Sequence, residues 1–126
     1  EFFLECDNVI IENQPALKNP TMKSVQMILY SYFLIRGFTN EEKSVKNIEM
    51  INARNKLKAY PKEAPEVPCD ITDKYKRTKY LGIEYTKWMI ENKTEVSEEF
   101  KKLFQESKKK DDLADAYLQG MFWLMK

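Results

Sequence analysis

Asp111, Asp112 and Asp115 stand together in Lys108-Lys109-Lys110-Asp111-Asp112-Leu113-Ala114-Asp115. Asp112 and Asp115 are three positions apart, so a helix sets them on one face. The stretch that follows is apolar most of the way round, with Tyr117, Leu118, Met121 and Phe122. Such a helix packs into a core or onto a sheet. The two carboxylates are then held at the edge of a buried element, where each raises the cost of ionising the other. A divalent cation removes that cost, and hard oxygen ligands suit magnesium or manganese. The plain alternative is that acids in a first turn only complement the helix dipole.

Other chemistries are excluded by what the chain lacks. It has no histidine. No Ser-His-Asp triad, Cys-His dyad or imidazole-ligated zinc can be built from these residues. Cys6 and Cys69 have no metal-binding spacing and read as free thiols of a reducing, intracellular compartment. No signal peptide or long apolar run appears, so no membrane partner is expected. Asn92-Lys93-Thr94 matches a glycosylation sequon but has no secretory route to give it meaning. Chemistry must rest on carboxylates and lysines.

The net charge of +1 does not announce a nucleic-acid partner. The distribution says more. Lys74, Lys76, Arg77 and Lys79 form one basic cluster, and Lys101, Lys102 and Lys108 to Lys110 another. Local stripes bind phosphate even in a near-neutral protein, although many are only solvated faces.

The elements that must position these groups are legible in outline. At 126 residues, with 43% hydrophobic, the chain is one domain able to bury a core. Residues 8–12 read as a buried strand. Asn19 caps a helix, Pro20 takes its first position, and the helix runs to about Ile35 before Gly37 stops it. Met22, Val25, Ile28, Leu29, Tyr32 and Phe33 make its apolar stripe. A second strand is expected from Val45 to Ile51. Pro61, Pro65 and Pro68 make a long helix or strand unlikely over residues 53–70. Asp73 caps a helix through Met89 or Ile90, Ser97 opens a short one, and the last begins near Asp111 or Asp112. Asp111 is expected to cap that last helix. Trp88 and Trp123 tempt a base-stacking reading, but aromatics at helical spacing belong more often to a core. Glu1 to Cys6 look like a helix tail cut partway, so the sequence is expected to be a fragment.

Two segments together carry a resemblance. The first ends a strand with Ile11-Glu12-Asn13-Gln14 and continues to Asn19-Pro20-Thr21-Met22-Lys23. The second is Lys109-Lys110-Asp111-Asp112-Leu113-Ala114-Asp115. The pair resembles the RuvC-like Holliday junction resolvases, in the poxvirus and large DNA virus branch with its fungal mitochondrial relatives. Residues 7–26 and 107–120 carry the likeness strongly and the stretch between them more weakly.

The resemblance implies an α/β, ribonuclease H-like fold. It is helix-rich here, residues 1–126 forming the C-terminal part of one nuclease domain. The first three strands, and the Asp on the first of them, are expected to lie upstream. It implies Glu12, Asp112 and Asp115 as metal ligands and catalytic residues. Two magnesium ions, or manganese, would stabilise the attacking and leaving oxygens of phosphodiester hydrolysis. Lys79 is the candidate catalytic lysine, with Lys76 the alternative. Gln14 either positions a phosphate or closes its turn. Lys23 lies near a helix N-terminus that welcomes phosphate. Lys76, Arg77, Lys109 and Lys110 complete the expected DNA-binding set, Lys109 and Lys110 alternatively offsetting the acids.

The expected function is a magnesium-dependent, structure-selective endonuclease that resolves four-way DNA junctions in recombination, repair and viral genome processing. The resemblance also implies a homodimer, for which the helix from Met22 to Phe33 is a candidate face. It implies a viral replication site in the host cell, or the mitochondrion for a cellular relative. The alternatives are another ribonuclease H-like nuclease, or a non-catalytic helical interaction module.

Overall fold

The computed structural model describes residues 2–41, 44–93 and 95–125. Glu1, and Thr94 of the sequon, lie outside the described residues. The chain divides into two compact units, Glu1–Ala53 and Arg54–Lys126.

The first unit is a strand–helix–strand arrangement. A 3-10 turn, Phe2–Glu5, leads to β1, Asn8–Glu12, which pairs in parallel with β2, Asn47–Ile51. Glu12 stands opposite Ile51 at the end of the ladder. The Asn13 N–H extends the ladder by donating to the Ile51 carbonyl at 2.9 Å. Parallel neighbours need a long crossover, supplied here by α1, Pro20–Phe33. The Asn19 side chain accepts from the Met22 N–H at 3.2 Å, and Pro20 occupies the first turn.

Four details of this unit differ from expectation. α1 ends at Phe33 rather than near Ile35, and a wider π turn carries the backbone from Leu34 to Phe38. Gly37 lies within that turn and does not stop the helix. Its role is a close approach: a Cβ there would stand 2.5 Å from Val45 Cγ2. Val45 is 1% exposed and packs on Gly37, so β2 starts only at Asn47. The apolar stripe of α1 is also not covered. Met22, Val25, Ile28 and Leu29 are all exposed, and the one buried residue of α1 is Gln26.

The second unit is helical. A 3-10 segment, Ala53–Ala59, enters it from the first unit. Then come α2, Lys74–Asn92, α3, Glu98–Glu106, and α4, Lys110–Leu124. The Asp73 carboxylate accepts from the Lys76 N–H at 2.9 Å, and the Ser97 hydroxyl from the Phe100 N–H at 3.2 Å, so both expected caps form. α2 and α3 each pack on α4. Ala59, Met89 and Leu118 centre one part of the core. Ile90, Phe104 and Ala114 centre the other, and the ring of Tyr117 packs against both. The Tyr117 hydroxyl is buried without a hydrogen-bond partner among the described residues. Burial, and secondarily Glu95, push its pKa up.

Candidate functional site

The strand-end motif is built around the one buried polar residue of α1. Gln26 Oε1 accepts from the Gln14 N–H at 2.8 Å, and Gln26 Nε2 donates to Asn13 Oδ1 at 3.3 Å and to Met50 Sδ at 2.7 Å. Lys23 Nζ donates to the same Asn13 oxygen at 2.9 Å. A buried amide left without partners is costly. Gln26 therefore fixes how the chain leaves β1. Glu12, the last residue of β1, is half-buried just before this junction. With Gln14, Met22 and Val25 it borders a groove of about 160 Å³ between β1 and α1.

This arrangement bears on two expected site residues. Lys23 is held by the Asn13 side chain, one turn into α1. Gln14 is tied to α1 through its backbone N–H, and the turn that follows covers residues 16–18. Sequence reasoning misses Asn13 and Gln26. Only their place beside the quoted motif points to them, because a Gln on an apolar helix gives no sign of its burial.

In the second unit the acids lie in the first turns of α4. Asp111 does not cap the helix. The cap position belongs to Lys109, whose side chain makes no capping bond, and Asp111 Oδ2 accepts from Lys79 Nζ at 3.0 Å. The cause is the nearness of α2, which offers Asp111 a full charge rather than a backbone N–H. That hydrogen bond is the main reason the Asp111 carboxyl lies below its ordinary value, with burial acting the other way. Lys79 is correspondingly raised, by Asp111 first and by Tyr75 second. Its ammonium also lies 5.0 Å from the centre of the Tyr75 ring.

Asp115 Oδ1 accepts from Lys56 Nζ at 2.8 Å, across 59 residues of sequence. Lys56 lies in the 3-10 segment and carries no signal in the sequence. Its side chain is 13% exposed, so a long aliphatic stem brings a charge in beside α4. Asp112, between these two acids in sequence, is exposed and has no side-chain partner among the described residues.

The contacts between α2 and α4 run in step. Lys79 meets Asp111, and Gly82 lies against Asp115 and Leu118. The helices therefore begin side by side, and both positive dipole ends face the same region. Lys76 and Arg77 are exposed on the first turns of α2. Lys109 is exposed, and Lys110 Nζ donates to the Ser107 carbonyl at 2.8 Å. Of the two lysines considered for catalysis, Lys79 is the one beside the acids of α4. Trp88 packs edge-on to Tyr60, with centroids 5.6 Å apart, and against the core centred on Met89, while part of it stays accessible.

The three expected metal ligands are divided between the units: Glu12 in the first, Asp112 and Asp115 in the second. Among the described residues, no group of three or more histidine, cysteine, aspartate or glutamate side chains is arranged to hold a metal ion. Also among them, no helix is long and apolar enough to cross a membrane. Cys6 and Cys69 are both free.

The chain is similar to an uncharacterized protein of Acanthamoeba polyphaga mimivirus, 44% identical over 126 residues. The match covers 96% of this chain. No family model matches the chain, and no solved structure matches it. The chain spans 29% of the length of the mimivirus protein.

Proposed function

We propose that the chain is part of a magnesium-dependent, structure-selective DNA endonuclease of ribonuclease H-like architecture, acting on four-way junctions. One observation carries the reading: α2 and α4 run in step from their first turns, so Lys79 pairs with Asp111 while Lys76 and Arg77 stand exposed on the preceding turn of α2. Basic side chains and helix N-termini attract a phosphate backbone, and carboxylates beside them suit metal-assisted hydrolysis.

Asp112 and Asp115 would supply hard oxygen ligands for a divalent cation from α4, and Glu12 is the ligand that the family resemblance implies in the first unit. Bound magnesium would stabilise charge on the attacking and leaving oxygens. Lys79 would counter charge on the phosphate, and Lys23 and Gln14 would meet backbone near β1. The exposed Met22, Val25, Ile28 and Leu29 stripe supports a homodimer, which suits a substrate with two symmetric strands to cut. The likeness to a mimivirus protein is in keeping with the viral branch of resolvases.

The test is nicking of an end-labelled four-way junction in magnesium by the longest natural form of the protein. Junction cleavage that is lost in Asp112→Asn, with junction binding kept, is the expected result. Equal cutting of linear duplex, or full activity in Asp112→Asn, overturns it. A non-catalytic helical interaction module is the second reading. Asp111 and Asp115 favour it, because each already has a lysine partner.

A further inference from the structure

A separate groove of about 410 Å³ opens on the other part of α2. One wall is the extended run Pro65, Glu66, Val67 and Pro68, and the other is α2 with Tyr80, Glu84, Lys87, Trp88 and Glu91. Tyr60 lies at its base, where it stacks on Tyr85 with ring centroids 3.9 Å apart and planes within 7°. The Tyr60 hydroxyl donates to the Pro65 carbonyl at 2.7 Å, so the same ring also pins the extended wall. The volume is that of a ligand site rather than a packing gap.

The lining is net acidic, with Glu66, Glu84 and Glu91 against Lys87. Lys87 is engaged by Glu84 at 2.7 Å. Glu66 and Glu91 form no ion pair among the described residues. The groove therefore combines the aromatic side chains of Tyr60, Tyr80 and Trp88 in its lining with two uncompensated carboxylates. That combination repels phosphate and receives a cation. A planar guanidinium satisfies both parts, since it stacks on aromatic rings and donates to carboxylates.

We propose that this groove docks an arginine side chain carried on an extended segment of a partner protein. Pro65 and Pro68 bias the 65–68 wall towards extended backbone, which suits a chain lying alongside it. The inference is independent of the nuclease reading, because no residue of the α4 acids or the basic cluster takes part.

The experiment is a titration of the protein with a short proline-flanked arginine peptide, followed by NMR at the Trp88 indole and the Glu66 and Val67 amides. The comparison peptide carries citrulline, which keeps the shape and removes the charge. Shifts with arginine, and weak or absent shifts with citrulline, are expected. E66Q/E91Q should raise Kd by about tenfold, the size of two partly exposed ion pairs. Y80A should also weaken binding, while E99Q/E106Q, which removes the same charge from α3, should not. The proposal is overturned by equal binding of the two peptides, by no shift at these positions, or by unchanged affinity in E66Q/E91Q. It is also overturned if the protein self-associates through this groove and E66Q/E91Q abolishes that association.

Discussion

Lys56 holds Asp115: its ammonium donates to Oδ1 at 2.8 Å, although 59 residues separate the two in sequence. An ammonium and a divalent cation compete for one carboxylate. If Asp115 is a metal ligand, Lys56→Met should tighten manganese binding by about three- to tenfold, the effect of removing a close like charge. Asp115→Asn should abolish the gain. Calorimetric titration checks both, and identical weak binding in all forms would remove Asp115 from the ligand set.

Lys79 and Asp111 make stability depend on pH in a defined window. Asp111 lies below its ordinary 3.8, so its contribution is present above that value and fades as pH falls through the lower folded one. Lys79 lies above its ordinary 10.5, so its contribution is present below that value and fades as pH rises through the higher folded one. The pair therefore acts from about pH 4 to about pH 10. Asp111→Asn should lower Tm slightly at neutral pH and reduce the loss as pH falls below about 4. Coincident Tm–pH curves for the two proteins would show that the pair adds nothing.

Replacing Lys76, Arg77 and Lys79 together by alanine should weaken junction binding and flatten its salt dependence. For each phosphate left un-neutralised, the slope of log K against log salt should shrink by about 0.9. Fluorescence anisotropy at several salt concentrations reads this directly. An unchanged slope would take the start of α2 off the DNA face.

Gln26→Leu should cost about 1–3 kcal/mol, because it strands the Gln14 N–H and frees Asn13. Denaturant unfolding gives the number. The change should also loosen the backbone around Glu12, visible as faster amide exchange at Asn13 and Gln14. A neutral substitution would mean that water satisfies these groups equally well.

Gly37→Ala should destabilise by about 1–3 kcal/mol, as overpacking of a filled site does. The added Cβ would press on Val45, which is 1% exposed. Gly37→Ala combined with Val45→Ala should recover part of the loss. A stable single variant would show that the π turn shifts easily.

Local signals carry most of the elements. Asn19-Pro20, Asp73 and Ser97 mark helix starts because capping is decided within a few residues, and each cap forms. The strand ending in Glu12 follows from its β-branched run. Long-range relationships are not legible. Nothing near Lys56 in sequence announces Asp115. Asp111 reads as a cap until α2 brings Lys79 beside it. The burial of Gln26 is equally hidden, because periodicity ranks residues by hydrophobicity and would turn Met22 and Leu29 inward. Gly37 reads as a helix stop, whereas its use is close packing against Val45, further along the chain.

The inward turn of Gln26 has a consequence for how α1 is oriented about its own axis. Apolar burial alone would leave the azimuth soft, since neighbouring hydrocarbon faces are nearly interchangeable. An amide with named partners is not interchangeable. A rotation by one residue, about 100°, would carry Gln26 away from the Gln14 N–H, Asn13 and Met50 together. The rotation of α1 is thus keyed by a polar latch rather than by greasy contact. Its hydrocarbon face is left turned outward, where an association can come and go without unseating the helix.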